Sequence, residues 1–222
     1  MTDVSPGFFD AVRSGDGEAV ARALEADPAL IRAASPYGLR PLLEALFSDQ
    51  EEVVALVLER GAPVDLGEAA ALGRLDLLEA ALGATPHAID LPGQGGWTPL
   101  HLAAYAGQVG TTRRLLEARA QTAVIAENRE RNFPLHAALA GKGDLQVVRL
   151  LLEAGARPDA RAGMGVTPLH LAASRGSIEA ITFLVEAGAH PEAMDDGRTP
   201  ADLARERGYP EVAVHLSRTL PA

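Results

Sequence analysis

The chain has 222 residues, 47% of them hydrophobic but only 4% aromatic, so its core must be built from Ala, Leu and Val rather than from large rings. It has no cysteine, which excludes a disulfide framework, a thiolate nucleophile and a cysteine-based zinc site. Its net charge of −10 is uneven: residues 1–92 hold 16 Asp/Glu against 6 Arg, residues 93–222 hold 14 against 14 basic residues, and an acidic chain repels nucleic acid and anionic membrane.

The elements follow a repeating order. An apolar-periodic segment, FFDAVRSGDGEAVARALEADP, comes first and turns near Gly15. Pro41 opens PLLEALFSD, and VVALVLERGA follows. GEAAALGRLDLLEAALGATP comes next with no Thr-Pro opening. TPLHLAA then stands at residues 98–104, a blurred copy FPLHAAL at 133–139, TPLHLAA again at 167–173 and TPADLA at 199–204. The prolines Pro99, Pro134, Pro168 and Pro200 are spaced by 35, 34 and 32 residues. Each phrase precedes a second apolar segment: TTRRLLEARA, VVRLLLEAGA, AITFLVEAGA. A fixed period of this length predicts a stack of helix–turn–helix units.

Local chemistry supports that reading. Thr98, Thr167 and Thr199 sit where a helix N-cap belongs, with Pro at the first helical position. Leu100 and Ala103, like Leu169 and Ala172, fall three apart on one face. Gly107 and Gly176 are placed to end the first helices, Gly155 and Gly188 the second. No single unit buries its own apolar face, so neighbours must stack.

The stretches GWTPLHLAAYAGQ, GVTPLHLAASRGS and LLEAGARPDA resemble the ankyrin repeat family, and the resemblance extends over nearly the whole chain. It implies an all-α-dominated solenoid with short β-hairpin fingers, in one domain of about seven units: 5–34, 35–64, 65–92, 93–127, 128–161, 162–194 and a cap at 195–222. The spacing departs from the pattern twice. Asp49 to Gly73 is 24 residues against 34 from Gly73 to Gly107, so the third unit is expected to lack its finger. The fifth unit carries one extra residue between its helices, assigned to Lys142, and Phe133 replaces the capping Thr.

His101, His136 and His170 recur at one helical position. The family resemblance makes them structural, each bonding main chain near the finger alongside Thr98 and Thr167. A metal relay would want carboxylates or further His beside each, but Leu102, Ala137 and Leu171 follow. No phosphate loop or nucleophile elbow occurs, so neither catalytic nor metal nor cofactor residues are assigned. His87, His190 and His215 read as surface residues.

Ankyrin-like arrays are similar in using a concave side of finger tips and first helices. Carried onto this chain, that side comprises Tyr37, Trp97, Arg129, Arg131 and Met164 on fingers, and Phe47, Leu72, Tyr105 and Arg175 on helices. Phe47 and Tyr105 are expected to be exposed and dispensable for stacking, whereas Trp97 fits either the concave face or a local core. The missing finger should leave a notch floored by Ala71 and Leu72. A notch with aromatic rims in the acidic half suits a protein or peptide carrying basic and apolar residues.

The expected function is therefore protein–protein binding by a monomer without catalysis, cofactor, nucleic acid or membrane. The alternative is an accessory or stabilising subunit of one enzyme or stress-response complex. No run of 18 apolar residues exists and no secretory signal is recognisable, so a cytoplasmic location is expected. One lysine among 20 basic residues, with abundant Ala, Arg, Gly and Pro, suggests a GC-rich bacterial source.

Overall fold

The computed structural model describes residues 6–219. Fourteen helices among them form seven antiparallel pairs: α1 (Pro6–Ser14) with α2 (Gly17–Ala26), α3 (Pro41–Phe47) with α4 (Glu51–Glu59), α5 (Leu66–Ala71) with α6 (Leu75–Ala84), α7 (Pro99–Tyr105) with α8 (Val109–Glu117), α9 (Pro134–Ala140) with α10 (Leu145–Glu153), α11 (Pro168–Ser174) with α12 (Ile178–Glu186), and α13 (Pro200–Glu206) with α14 (Pro210–Arg218). The first helices stack in chain order; behind them α2 packs on α4, and α6, α8, α10, α12 and α14 form a second continuous row.

These helices are only two to three turns long, too short to persist alone in water. Stacking stabilises them. One apolar cluster runs from Leu66 through Leu100, Leu135 and Leu169 to Leu216, with Ala103, Ala138 and Ala172 allowing close approach. A second holds the N-terminal pairs, from Phe8 and Val20 to Val53 and Val57. The two meet just before α5, where Val64 touches both.

Turn chemistry fixes the pairing. Gly107 and Gly176 take φ of +70° and +73° after their first helices. Asp49 and Arg119 adopt the same left-handed region, at +55° and +69°, without a glycine's freedom. The extra residue of the fifth pair is accommodated by Gly141, where a Cβ would lie 2.0 Å from the Tyr105 carbonyl oxygen. Lys142 then donates its main-chain N–H to that oxygen (2.9 Å), and its Nζ reaches Asp49 of the second pair at 2.9 Å.

The fingers are hydrogen-bonded loops, and the only bridge recorded among the described residues joins Asp195 to Arg198. Each closes with one main-chain bond, from Ser35 to Leu39, Gly93 to Trp97, Ala126 to Asn132 and Ala162 to Val166. No such loop precedes α5: α4 ends at Glu59, and Asp65 already caps α5 by a reciprocal bond with Glu68. The second and fourth fingers consequently meet, with Gly95 N–H donating to the Gly38 carbonyl at 3.0 Å. The series continues from Glu127 to Gly96 (2.8 Å) and from Gly163 to Glu130 (2.7 Å). The expected open notch is closed, because removing one finger lets its neighbours bond directly.

Candidate protein-binding surface

The concave side is built from the residue six after each helix-opening proline. That residue is Phe47 in α3, Tyr105 in α7, Ala140 in α9 and Ser174 in α11. In α5 the residue two before the turn glycine, matching Tyr105, is Ala71. Leu72 lies one residue further, a rotation of about 100°. Leu72 therefore packs against the N-terminal cluster, while Ala71 is fully buried beneath the concave side. The sequence reading placed Leu72 on the notch floor; α5 has one residue fewer between cap and turn than α7, which shifts the register.

Small Ala71 lets the rings on either side meet. Phe47 and Tyr105 pack edge-on with centroids 4.7 Å apart, Trp97 stands 5.0 Å from Tyr105, and Phe47 and Trp97 are 6.3 Å apart. All three are half-buried. Phe47 and Trp97 rest on a cluster of Leu43, Ala71, Leu102 and Ala106. This corrects the expectation that Phe47 and Tyr105 are exposed and free of the stack: they join the second pair to the fourth. Their outer faces still line a groove of about 700 Å³, together with Tyr37 and Leu39 of the second finger and Glu127 to Glu130 of the fifth.

A polar cluster replaces the missing finger. Arg40 contacts both Asp65 and Glu68 at 2.5 Å, and the Gln94 side chain accepts from Arg40 N–H (2.8 Å) while donating to Asp65 (3.1 Å). Glu68 is fully buried, and burial followed by the neighbouring Asp65 carboxylate pushes its carboxyl up to about 7; Arg40 offsets part of this.

The histidines occupy the bases of the fingers. Nδ1 of His101 lies 2.8 Å from the Thr98 hydroxyl, and its Nε2 is 3.1 Å from the Asn132 carbonyl of the next finger. His170 repeats the geometry with Thr167 (2.8 Å) and the Arg198 carbonyl (3.1 Å). Nε2 faces a carbonyl in each case, so it carries the proton and Nδ1 accepts from the hydroxyl. His136 reaches the Val166 carbonyl at 3.0 Å, but Phe133 offers no hydroxyl and its Nδ1 has no partner. Burial lowers all three, His101 and His136 to about 4, which keeps those two rings neutral at pH 7. The other three differ: His87 is exposed, His190 is exposed and pairs with Asp159, and half-buried His215 lies 3.3 Å from Thr182.

A family model described as Ankyrin repeats (3 copies) matches residues 66–162 and 140–218. The chain belongs to the ankyrin repeat family. Its match begins at α5, and the two N-terminal helix pairs lie outside it. Among curated ankyrin-repeat relatives, a rat cyclin-dependent kinase 4 inhibitor B is 38% identical over 126 residues, covering 56% of this chain and 94% of that protein. The mouse protein of the same name is 39% identical over 119 residues, covering 53% and 88%. A bovine ankyrin repeat and SOCS box protein 3 is 34% identical over 105 residues, 47% of this chain but 20% of that protein. Ankyrin repeats mark a protein–protein interaction module.

The remaining concave residues fall in two places. Tyr37 is 70% exposed at the rim of the aromatic groove, and Arg129 lies between that groove and a second one. Met164, 88% exposed on the sixth finger, lines the second groove. Arg131 is exposed beside Arg129, and exposed Arg175 donates to the Ala140 carbonyl at 2.9 Å. The second groove has a single signal in the sequence, the small Ala140 where α3 and α7 carry rings.

Proposed function

We propose that this ankyrin repeat chain is a non-catalytic binding module that holds a protein segment against its concave side, in the groove over Phe47, Trp97 and Tyr105. The observation carrying this reading is the groove itself: half-exposed rings on a floor made rigid by direct contact between the second and fourth fingers. Such preformed aromatic sites suit interface anchors. Glu127 and Glu130 on its wall, and the acidic first 92 residues, favour a segment carrying basic and apolar side chains. Arg129 opposes that preference locally.

A second reading, as an accessory or stabilising subunit of one enzyme, draws on likeness to a relative whose name specifies one kinase as its target. Purification of the tagged chain from its host separates the two. A subunit co-elutes stoichiometrically through successive columns, whereas a transiently bound partner is lost. Binding at the groove is tested with Tyr37→Ala combined with Glu127→Lys, both exposed positions. The variant should melt like the parent and lose the partner. Full retention by the folded variant would place binding on another surface.

A further inference from the structure

The second groove, about 470 Å³, lies between the fifth and sixth fingers over α9 and α11. It exists because repeat five carries small or polar residues where repeat four carries rings. Asn132 and Ala140 stand at the positions of Trp97 and Tyr105, counted from the helix-opening proline. Ala162, Met164, Val166 and Leu171 form the apolar part of the wall, beside His136, Arg129 and Glu130. Two polar groups stand out. Asn132 is only 7% exposed and His136 1%, and Oδ1 of Asn132 and Nδ1 of His136 are both buried without a hydrogen-bond partner. A buried amide oxygen left unpaired is costly, and a ligand N–H that reaches it gains the bond the protein lacks.

The rim is charged in the opposite sense to the acidic half of the chain. Arg129 lines the groove, Arg131 follows it on the same finger, and Arg175 crosses to the Ala140 carbonyl. None of the three has a carboxylate within ion-pair distance among the described residues. Glu130 is the one acidic group on the lining.

We infer that this groove receives a tryptophan side chain of the partner segment, flanked by carboxylate residues. The inference rests on the concave-side reading above and adds a second, separate anchor to it. An indole supplies what the groove wants: a flat apolar body for Met164, Val166 and Leu171, favourable contact with the methionine sulfur, and a single N–H for one of the two unpaired acceptors, Asn132 Oδ1 or His136 Nδ1. Neighbouring carboxylates meet Arg129, Arg131 and Arg175, whose planar guanidinium groups bind carboxylates in pairs of parallel bonds.

The test uses the full chain and three capped tetrapeptides: Asp-Asp-Trp-Gly, Lys-Lys-Trp-Gly, and Asp-Asp-naphthylalanine-Gly, which keeps the ring area without the N–H. Binding is read from the methyl NMR signals of Met164 and Ala140 at millimolar peptide. The acidic tryptophan peptide should shift both signals saturably. The naphthyl analogue should bind roughly five- to tenfold more weakly, one hydrogen bond's worth. Ala140→Phe, which places a ring where α3 and α7 already hold one, should abolish the Met164 shift; Arg129→Glu, at an exposed finger tip, provides a second variant, read at both signals, should the first fail to fold. Unmoved Met164 and Ala140 signals, or equal binding of the lysine peptide, would overturn the inference. Either result leaves the aromatic groove standing if Tyr37→Ala with Glu127→Lys still releases the partner.

Discussion

Truncating Phe47 and Tyr105 to Ala, singly and together, tests whether these rings join the second helix pair to the fourth. Both are half-buried, so each single change should cost less than the 3–5 kcal/mol of a fully buried aromatic, about 1.5–3 kcal/mol. Their rings sit edge-on at 4.7 Å, a geometry worth roughly 0.5–1.5 kcal/mol beyond the area they bury. The double variant should therefore lose less than the sum of the singles by that coupling energy. Trp97 is the only tryptophan and lies 5.0 Å from Tyr105, so its emission during urea unfolding reports on this region rather than on the whole array. That matters because repeat arrays do not always unfold as one unit. Singles below about 0.5 kcal/mol with no coupling would refute the packing argument and return both residues to a free surface.

Other expectations follow from single features. Glu68 has its carboxyl raised from 4.5 to about 7, so the fold favours its protonated form; the stabilisation is complete below about 4.5 and disappears as pH rises through 7. The amount is on the order of 3 kcal/mol, and Glu68→Gln should flatten that part of the stability–pH curve. The buried histidines slope the other way, gaining stability as pH rises from about 4 to 6.5, so the wild-type minus variant difference isolates Glu68; no difference between pH 5 and 8 would refute the burial argument. Arg119 is exposed at φ +69°, and Arg119→Gly should raise stability by about 1 kcal/mol in urea melts by relieving the left-handed conformation. Deleting residues 198–222 removes α13 and α14, uncovers the apolar face of α11 and α12, and should produce aggregation by light scattering; a monomer with unchanged melting temperature would contradict the cap role.

The parts legible in sequence are those governed by neighbours along the chain. Thr98 followed by Pro99, and Gly107 after the helix, specify a cap, a start and a stop without reference to anything distant. The helix phrases, the shortened third unit and the extra residue near Lys142 could all be read by counting. Long-range consequences could not. Counting finds the missing finger but not that Gly38 and Gly95 then bond, because the contact depends on how far apart the flanking repeats come to rest. Leu72 was misplaced because a one-residue difference in helix length rotates every side chain after it. Phe47 and Tyr105 read as solvent-facing because Leu42 and Ala45 in one helix, and Leu100 and Ala103 in the other, already fill the stacking face; that Ala71 is small enough to let the rings touch shows only across repeats. Asn132 likewise resembles an ordinary loop residue until it is set against Trp97 of the preceding repeat.

Losing a finger also changes the surface that the concave side offers. An intact third finger would stand between the second and fourth and keep their main chains apart. Without it, the Gly38–Gly95 bond, the Phe47–Tyr105 contact and the Lys142–Asp49 ion pair all tie the second repeat to those beyond the third. Three contacts of different chemistry must open together for this part of the stack to straighten, which favours a rigid aromatic floor over an adaptable one. A rigid floor reduces the ordering cost of binding and selects partners by shape. Beyond the fifth finger the floor drops to Ala140, Glu127 is left behind, and Arg131 and Arg175 stand near the Arg129 and Glu130 that both grooves share. On the binding proposed above, a segment lying across both grooves would meet more carboxylate at one end and more guanidinium at the other, so its direction would matter.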